Sequence, residues 1–335
     1  MRAFSYIAPE SLQQALGALD NSSRPLAGGT DLLTLMKADL AAPERVVAVR
    51  KLLPRGVRHA DGVTIGAGTT LSEIEADEGL QERYTALAQA VAAAASGQLR
   101  NMATLGGNLL QRPRCWYFRN PRVQCWLKGG EHCPAREGEN RLHALFTDSP
   151  CVAVHPSDLA PALLAFDAAI KVLGPRGENA LSLDDLFAMP RPGRRTETRL
   201  AADELLLSVR LLPHPPETKS VYLKAMDRRA FSFALASVAA VLRLSPEGRV
   251  GHARLVLGGV APIPWRARAA ERALFGARMD ERLVDEAAEV AVEDAVSLRR
   301  NTYKIPLVRA LVRRALQALA FQAGAGGPAS RGYTR

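Results

Sequence analysis

All four cysteines of this chain, Cys115, Cys125, Cys133 and Cys151, lie within 37 of its 335 residues. The gaps between them are nine, seven and seventeen residues. Thiolates gathered in a Gly- and Arg-rich stretch point to one soft-metal site, either an iron–sulfur cluster or zinc. No C-x-x-C pair is present, although most small zinc modules have one. A thiolate-ligated [4Fe–4S] cluster tolerates irregular spacing when a folded scaffold holds the ligands. Two disulfides or four unconnected thiols are the alternatives.

Length predicts two or three domains with real cores. The 47% hydrophobic content is ordinary for a soluble protein, and no apolar run approaches the roughly 20 residues of a membrane span. Membrane insertion is therefore not expected. The N-terminus, MRAFSYIAPESLQQAL, lacks a basic stretch leading into an apolar one, so no signal peptide is read in it. The net charge of +10 suits an acidic protein partner or an anionic cofactor. Nucleic acid is not expected, because no basic motif is interleaved with aromatic residues.

Apolar spacing predicts a helix over 8–20, an Ala-rich helix over 83–96, and amphipathic helices over 266–275, 280–292 and 305–320. β-branched runs at Val46–Val49, Val63–Thr70, Ala169–Leu173, Ser220–Lys224 and Arg254–Gly259 read as strands. Phe231 to Leu244 is a long apolar segment. The stretch Leu212-Pro213-His214-Pro215-Pro216 reads as a linker. The chain is thus an α+β protein with two domains meeting near residue 215. The Gly- and Ala-rich tail from residue 323 reads as disordered.

Two glycine turns, at 28–30 and 106–108, follow extended segments and precede polar or helical residues. Glycine lets backbone N–H groups approach an anion closely, and a helix start adds positive potential. Thr30, Thr104 and Asn108 have side chains able to reach phosphate oxygens. Neither turn is a Walker A loop or a G-x-G-x-x-G fingerprint, and each alone fits a tight structural turn as well. Asp158 suits either ribose or ribityl hydroxyls or a helix N-cap. Lys224 ends a strand, facing either an anionic group or solvent. His132, His143 and His155 flank the cysteines and read as neighbours of the thiolates or as surface residues. No Ser/His/Asp order or H-E-x-x-H is present, so hydrolysis has no support.

Three motifs in order carry a family resemblance. Leu26-Ala27-Gly28-Gly29-Thr30-Asp31-Leu32-Leu33, Thr104-Leu105-Gly106-Gly107-Asn108-Leu109 and Pro156-Ser157-Asp158-Leu159-Ala160-Pro161-Ala162-Leu163 resemble the FAD-binding subunit of molybdenum hydroxylases. That is the medium-chain family of xanthine dehydrogenase, aldehyde oxidoreductase and carbon monoxide dehydrogenase. Glu204–Ser208, Tyr222–Ala225 and Arg299-Arg300-Asn301-Thr302-Tyr303-Lys304 are similar to it too. The implied fold is α+β. It has an FAD-binding domain of the vanillyl-alcohol-oxidase/CO-dehydrogenase-flavoprotein type over 1–215, with subdomains of about 1–55 and 56–215. A smaller α+β C-terminal domain over 216–322 follows. The resemblance implies that Leu26, Ala27, Gly28, Gly29, Thr30 and Asp31 wrap the FAD pyrophosphate, and that Thr104, Gly106, Gly107 and Asn108 form a second dinucleotide loop. Asp158 is implied to bind ribityl or ribose hydroxyls, Leu206 to pack near the isoalloxazine, and Lys224 to lie beside the flavin.

One departure sharpens the resemblance. In most members the Gly-Gly-Asn loop runs almost directly into the Ser-Asp segment, whereas here 48 residues separate Asn108 from Ser157. The extra length, about 111–152, contains every cysteine. Insertions of this kind, with a [4Fe–4S] cluster, are found in the flavin subunits of periplasmic aldehyde oxidoreductase and of 4-hydroxybenzoyl-CoA reductase. Gln111-Arg112-Pro113-Arg114-Cys115-Trp116-Tyr117-Phe118-Arg119 resembles the former. The resemblance implies FAD and a [4Fe–4S] cluster on Cys115, Cys125, Cys133 and Cys151. It implies a heterotrimer with a large molybdopterin subunit and a small subunit carrying two [2Fe–2S] clusters. Electrons would leave to an external acceptor such as ferredoxin, in a periplasmic enzyme exported with its partner; a cytoplasmic location is the alternative. Aldehyde oxidation is the implied reaction. A xanthine or N-heterocycle dehydrogenase and an aryl-CoA reductase keep the same fold; a zinc or redox-sensing binding module is a rival of another class. Arg112, Arg114, Arg119, Arg122 and Lys128 are expected to raise the cluster's potential.

Overall fold

The computed structural model describes residues 1–228 and 230–321. The tail expected to be disordered lies outside the described residues. Three sheets organise the chain. In the first, β1 (Ser5–Ile7), β2 (Ser23–Leu26) and β3 (Arg45–Ala48) run parallel in the order β1-β3-β2. Ser11 caps the helix Leu12–Gly17 through Gln14 N–H, which starts the first crossover.

The second sheet contains β4 (Val57–Ala60), β5 (Gly62–Gly66), β6 (Ala169–Gly174), β7 (Gly177–Ser182) and β8 (Leu205–Leu211), antiparallel in the order β4-β5-β8-β6-β7. Its inner face packs on the helices Thr85–Ala92 and Leu159–Ala165, burying Ile65, Leu87, Leu159, Leu163 and Val209 in one core. The Ala-rich helix ends at Ala92, four residues short of the predicted span.

The third sheet is the antiparallel meander β9 (Lys219–Ala225), β10 (Ala236–Leu244), β11 (Val250–Gly258) and β12 (Trp265–Arg266). The apolar segment from Phe231 resolves into a loop and then β10. Seven successive β10 residues are buried because both faces are covered. Ala239 and Val241 join the core of the second sheet, while Ala236, Val238, Ala240 and Leu242 pack with the helices Glu281–Val290 and Lys304–Ala320.

Between Leu110 and Ser157 the chain forms only a one-turn helix, Trp116–Arg119, and a 3-10 turn, Trp126–Lys128. Its two ends meet. Ser157 Oγ donates to Asn108 Oδ1 at 2.6 Å, and His155 Nε2 lies 3.3 Å from the Leu109 carbonyl. The insertion is therefore a closed excursion from a continuous frame.

Candidate functional site

The first glycine turn follows β2 and precedes the helix Leu32–Lys37. Leu26 ends the strand and Ala27 packs on a small core of Val47, Leu205 and Leu207. A Cβ on Gly28 would sit 2.0 Å from the Met102 carbonyl oxygen. Gly29 has φ +74, a left-handed conformation that L side chains rarely adopt. No backbone carbonyl among the described residues accepts from the N–H groups of Gly28, Gly29 or Thr30. These donors are displayed as an anion-binding backbone requires.

The second motif differs from the expected turn, because Gly106 and Gly107 lie inside a short helix, Leu105–Leu109. Thr104, 1% exposed, caps that helix by accepting from Gly107 N–H. Gly106 N–H donates to the Ala67 carbonyl at 2.9 Å. The Asn108 side chain is tied to Ser157. This segment is thus committed to internal bonds, and its lack of bulk lets the helix lie against Ala67. The two motifs are neighbours, since Met102, against which Gly28 packs, directly precedes the Ala103-Thr104 step.

Asp158 and Lys224, both assigned to the flavin surroundings by resemblance, pair with each other at 2.8 Å and are nearly buried. Tyr222 donates to the other side of the carboxylate at 2.6 Å, and Lys224 Nζ also reaches the Ala93 carbonyl at 2.9 Å. Burial raises the Asp158 pKa while Lys224 and Tyr222 hold it down. Asp158 lines a small cleft with Arg114, Ser157, Phe233 and Ser237. Arg114 from the insertion stacks over the half-exposed Phe233 ring, 5.2 Å from its centroid. Leu206 is a buried core residue of β8.

All four cysteines are free thiols, which removes the disulfide alternative. They border one apolar cluster formed by Leu35, Phe118, Trp126, Leu127 and Ala153. The neighbouring Cys151 thiol drives the Cys133 pKa down to about 6, while Cys133 and burial raise that of Cys151. Burial pushes Cys115 up to about 11. Among the described residues, no group of three or more His, Cys, Asp or Glu side chains could hold a metal ion. Of the flanking histidines, His132 is almost fully exposed, while His155 is locked between Leu109 and Ser157. His143 places Nε2 3.2 Å from Cys115 Sγ. Burial lowers both His143 and His155 to about 4, so both are neutral near pH 7.

The insertion is bolted to the first glycine motif through Asp31. Arg119 and Arg114 pair with Asp31 Oδ1 at 2.8 and 3.0 Å, and Arg112 N–H donates to Oδ2 at 2.9 Å. The Asp31 carboxylate thus serves the insertion. Arg112 pairs with buried Glu197 at 3.0 Å, and Lys128 Nζ caps the Asn120 carbonyl. Arg112 is neutralised by Glu197, but Arg114 and Arg119 share the single carboxylate of Asp31, so the expected potential-raising field is reduced to about one net positive charge from these three arginines.

Sequence reasoning left the C-terminal Arg-Arg-Asn-Thr-Tyr-Lys stretch without a role. Lys304 is fully buried and donates to the carbonyls of Leu142, His143 and Gly259 at 2.9–3.1 Å. Asn301, also fully buried, donates to His143 and Ala144 carbonyls at 3.1 and 3.0 Å. A lysine on the apolar side of an amphipathic helix was the available signal.

Comparison with known proteins agrees with this geometry. Residues 2–215 match the model of the FAD binding domain in molybdopterin dehydrogenase, and residues 221–319 match the CO dehydrogenase flavoprotein C-terminal domain. The chain is 39% identical over 283 residues to the aldehyde oxidoreductase FAD-binding subunit PaoB of Escherichia coli K12, covering 82% of this chain and 86% of that one. It is 28% identical over 325 residues to the carbon monoxide dehydrogenase medium chain of Hydrogenophaga pseudoflava, covering 94% and 96%. A solved structure of carbon monoxide dehydrogenase from Hydrogenophaga pseudoflava superposes with a TM-score of 0.74 at 29% identity, over 95% of this chain and 97% of that one. Quinoline 2-oxidoreductase from Pseudomonas putida 86 gives 0.71 at 25%, over 95% and 97%.

Proposed function

The chain belongs to the FAD-binding subunits of the molybdenum hydroxylases, and on that premise we propose that it is a two-cofactor electron outlet, carrying FAD and a [4Fe–4S] cluster, in an aldehyde-oxidising heterotrimer. The observation that carries the reading is Asp31: one carboxylate ties the arginines around the thiols to the loop whose free N–H groups suit a pyrophosphate. The two sites are therefore built as one unit. The displayed N–H groups and the space secured by Gly28 fit a dinucleotide. Four free thiols gathered on one apolar cluster are the soft donor set that an iron–sulfur cluster takes. When bound, the flavin exchanges two-electron chemistry for one-electron steps, and the cluster carries single electrons.

Within this chain, Cys115, Cys125, Cys133 and Cys151 would hold the cluster, and residues 26–30 would hold the pyrophosphate. Asp158, Lys224 and Tyr222 form a buried polar block that stiffens the floor between the flavin loops and β9. The aldehyde reading is supported by the likeness to PaoB. Substrate oxidation belongs to a large molybdopterin subunit, a small [2Fe–2S] subunit feeds this one, and ferredoxin is the kind of acidic acceptor the basic surface suits. A periplasmic location, reached with a partner, is part of the same proposal.

The test is anaerobic purification of the complex, with flavin, iron and sulfide released and counted, alongside Cys115→Ser. About one FAD per chain in both, with about four irons lost from the variant, is expected. Equal iron in both would leave an ordinary flavin subunit with a structural insertion. No FAD in either would remove the flavin assignment itself.

A further inference from the structure

We propose that His143 is a positioning residue for electron transfer, which donates its Nε2–H to the Cys115 sulfur and thereby raises the midpoint potential of the cluster. The inference rests on the cluster reading above. The ring is 2% exposed, and Nε2 lies 3.2 Å from Cys115 Sγ. The other ring nitrogen, Nδ1, is buried and has no hydrogen-bond partner among the described residues. A neutral imidazole carries one ring proton. On Nδ1 that proton would be a buried donor without an acceptor, whereas on Nε2 it points at sulfur. The environment thus selects the tautomer that donates to the thiolate.

The ring is held there from two directions. Trp116 meets it edge-on with centroids 5.2 Å apart, and Tyr117 flanks it at 6.2 Å. The backbone is pinned at both ends: His143 N–H donates to the Asn140 carbonyl, and its carbonyl accepts from Asn301 and Lys304. The C-terminal domain therefore fixes the distance between this imidazole and Cys115. The nearby guanidiniums of Arg112, Arg114 and Arg119 are directed at Glu197 and Asp31 rather than at the sulfur. His143 is left as the side-chain donor in direct contact with this sulfur. Reduction adds one negative charge, which spreads onto the ligand sulfurs, and an N–H···S bond stabilises that form more than the oxidised one.

The experiment is an EPR-monitored redox titration of the intact complex, following the signal that depends on Cys115. His143→Phe fills the ring volume without a donor, and His143→Gln restores a donor. The midpoint is expected to fall in His143→Phe and to return towards the unmutated value in His143→Gln. Equal midpoints in His143→Phe and the unmutated complex overturn the proposal, as does a Gln variant as low as Phe. A second readout uses the unmutated protein labelled with 15N-histidine: pulsed EPR of the reduced complex is expected to show a histidine nitrogen coupled to the Cys115-dependent signal, and its absence contradicts the assignment. This readout decides the matter if His143→Phe fails to load iron. Loss of the cluster reading is separately visible, because the unmutated complex would then contain no cysteine-dependent iron.

Discussion

The flavin loops and the cysteine insertion are held in place by different means. Residues 26–31 and 104–109 are positioned by the backbone: a strand, two short helices, and close packing that only glycine allows. The insertion has almost no regular structure and is suspended on side chains that donate to carbonyls. Arg195 reaches Trp126 and Gly130, Arg136 reaches Ser149 and Pro150, and Lys304 and Asn301 reach 142–144. Backbone positioning tolerates side-chain change except at glycines. Side-chain suspension makes each donor matter, because losing one leaves buried carbonyls unpaired.

The contrast is broken most directly at Lys304. Lys304→Met strips a donor from three buried carbonyls and should cost on the order of 4 kcal/mol, read as a lower melting temperature. Proteolysis within 111–152 should accelerate while the flavin stays bound. An unchanged melt would mean that the insertion does not hang on this side chain.

At the insertion's exit, His155 supplies a pH test. Its folded pKa is about 4, below the ordinary 6.5, because the ring is buried as the neutral form. Between these values the unfolded chain binds the extra proton, so stability falls as pH drops from about 6.5 to about 4. The full loss is about 3 kcal/mol. His155→Gln, which cannot titrate but can still donate to the Leu109 carbonyl, should flatten that share of the slope in denaturant titrations. An identical slope would contradict the neutral, locked ring.

Gly28→Ala tests the backbone half. Its Cβ would meet the Met102 oxygen at 2.0 Å, so the two flavin segments must part, at a cost of about 2 kcal/mol. Flavin content should drop while cysteine-dependent iron persists; full flavin occupancy would contradict the close-approach argument.

Asp31→Asn has the smallest expected effect and sharpens the comparison most. Loss of charge opposite Arg114 and Arg119 should destabilise by about 1 kcal/mol, since the carboxylate is largely buried but the amide still accepts a hydrogen bond from the arginines. Flavin affinity should stay unchanged in a flavin titration. A selective loss of flavin would return Asp31 to the pyrophosphate loop.

These tests also mark what the sequence made legible. The helices near 281–290 and 304–320 carry their periodicity openly, and β9 and β11 were legible from their apolar and β-branched runs. β10 did not alternate, because it is covered on both faces, one by each domain's core. The Gly-Gly pairs were visible, but their difference was not: one displays its N–H groups and the other spends them on the Ala67 carbonyl and the capping Thr104 hydroxyl. That distinction depends on Ala67 and Met102, which no local pattern ties to the motifs. The pairing of Asp31 with Arg114 and Arg119, and of Asp158 with Tyr222 and Lys224, spans 64 to 88 residues and depends on chain path alone. The four cysteines announced a shared site. The carboxylates that pair with its arginines, and the buried Lys304 and Asn301 that hold it, are ordinary residue types until the fold brings them there.

The central claim is that one chain carries both redox groups, and Mössbauer spectroscopy of the intact complex grown on 57Fe tests it most directly. The oxidised complex should show the valence-delocalised iron of a [4Fe–4S] cluster beside the localised ferric iron of [2Fe–2S] centres. In Cys133→Ser the delocalised component should disappear while bound FAD is unchanged. A spectrum with only localised ferric iron, the same in both proteins, would contradict the account and leave the thiols as packing for the insertion.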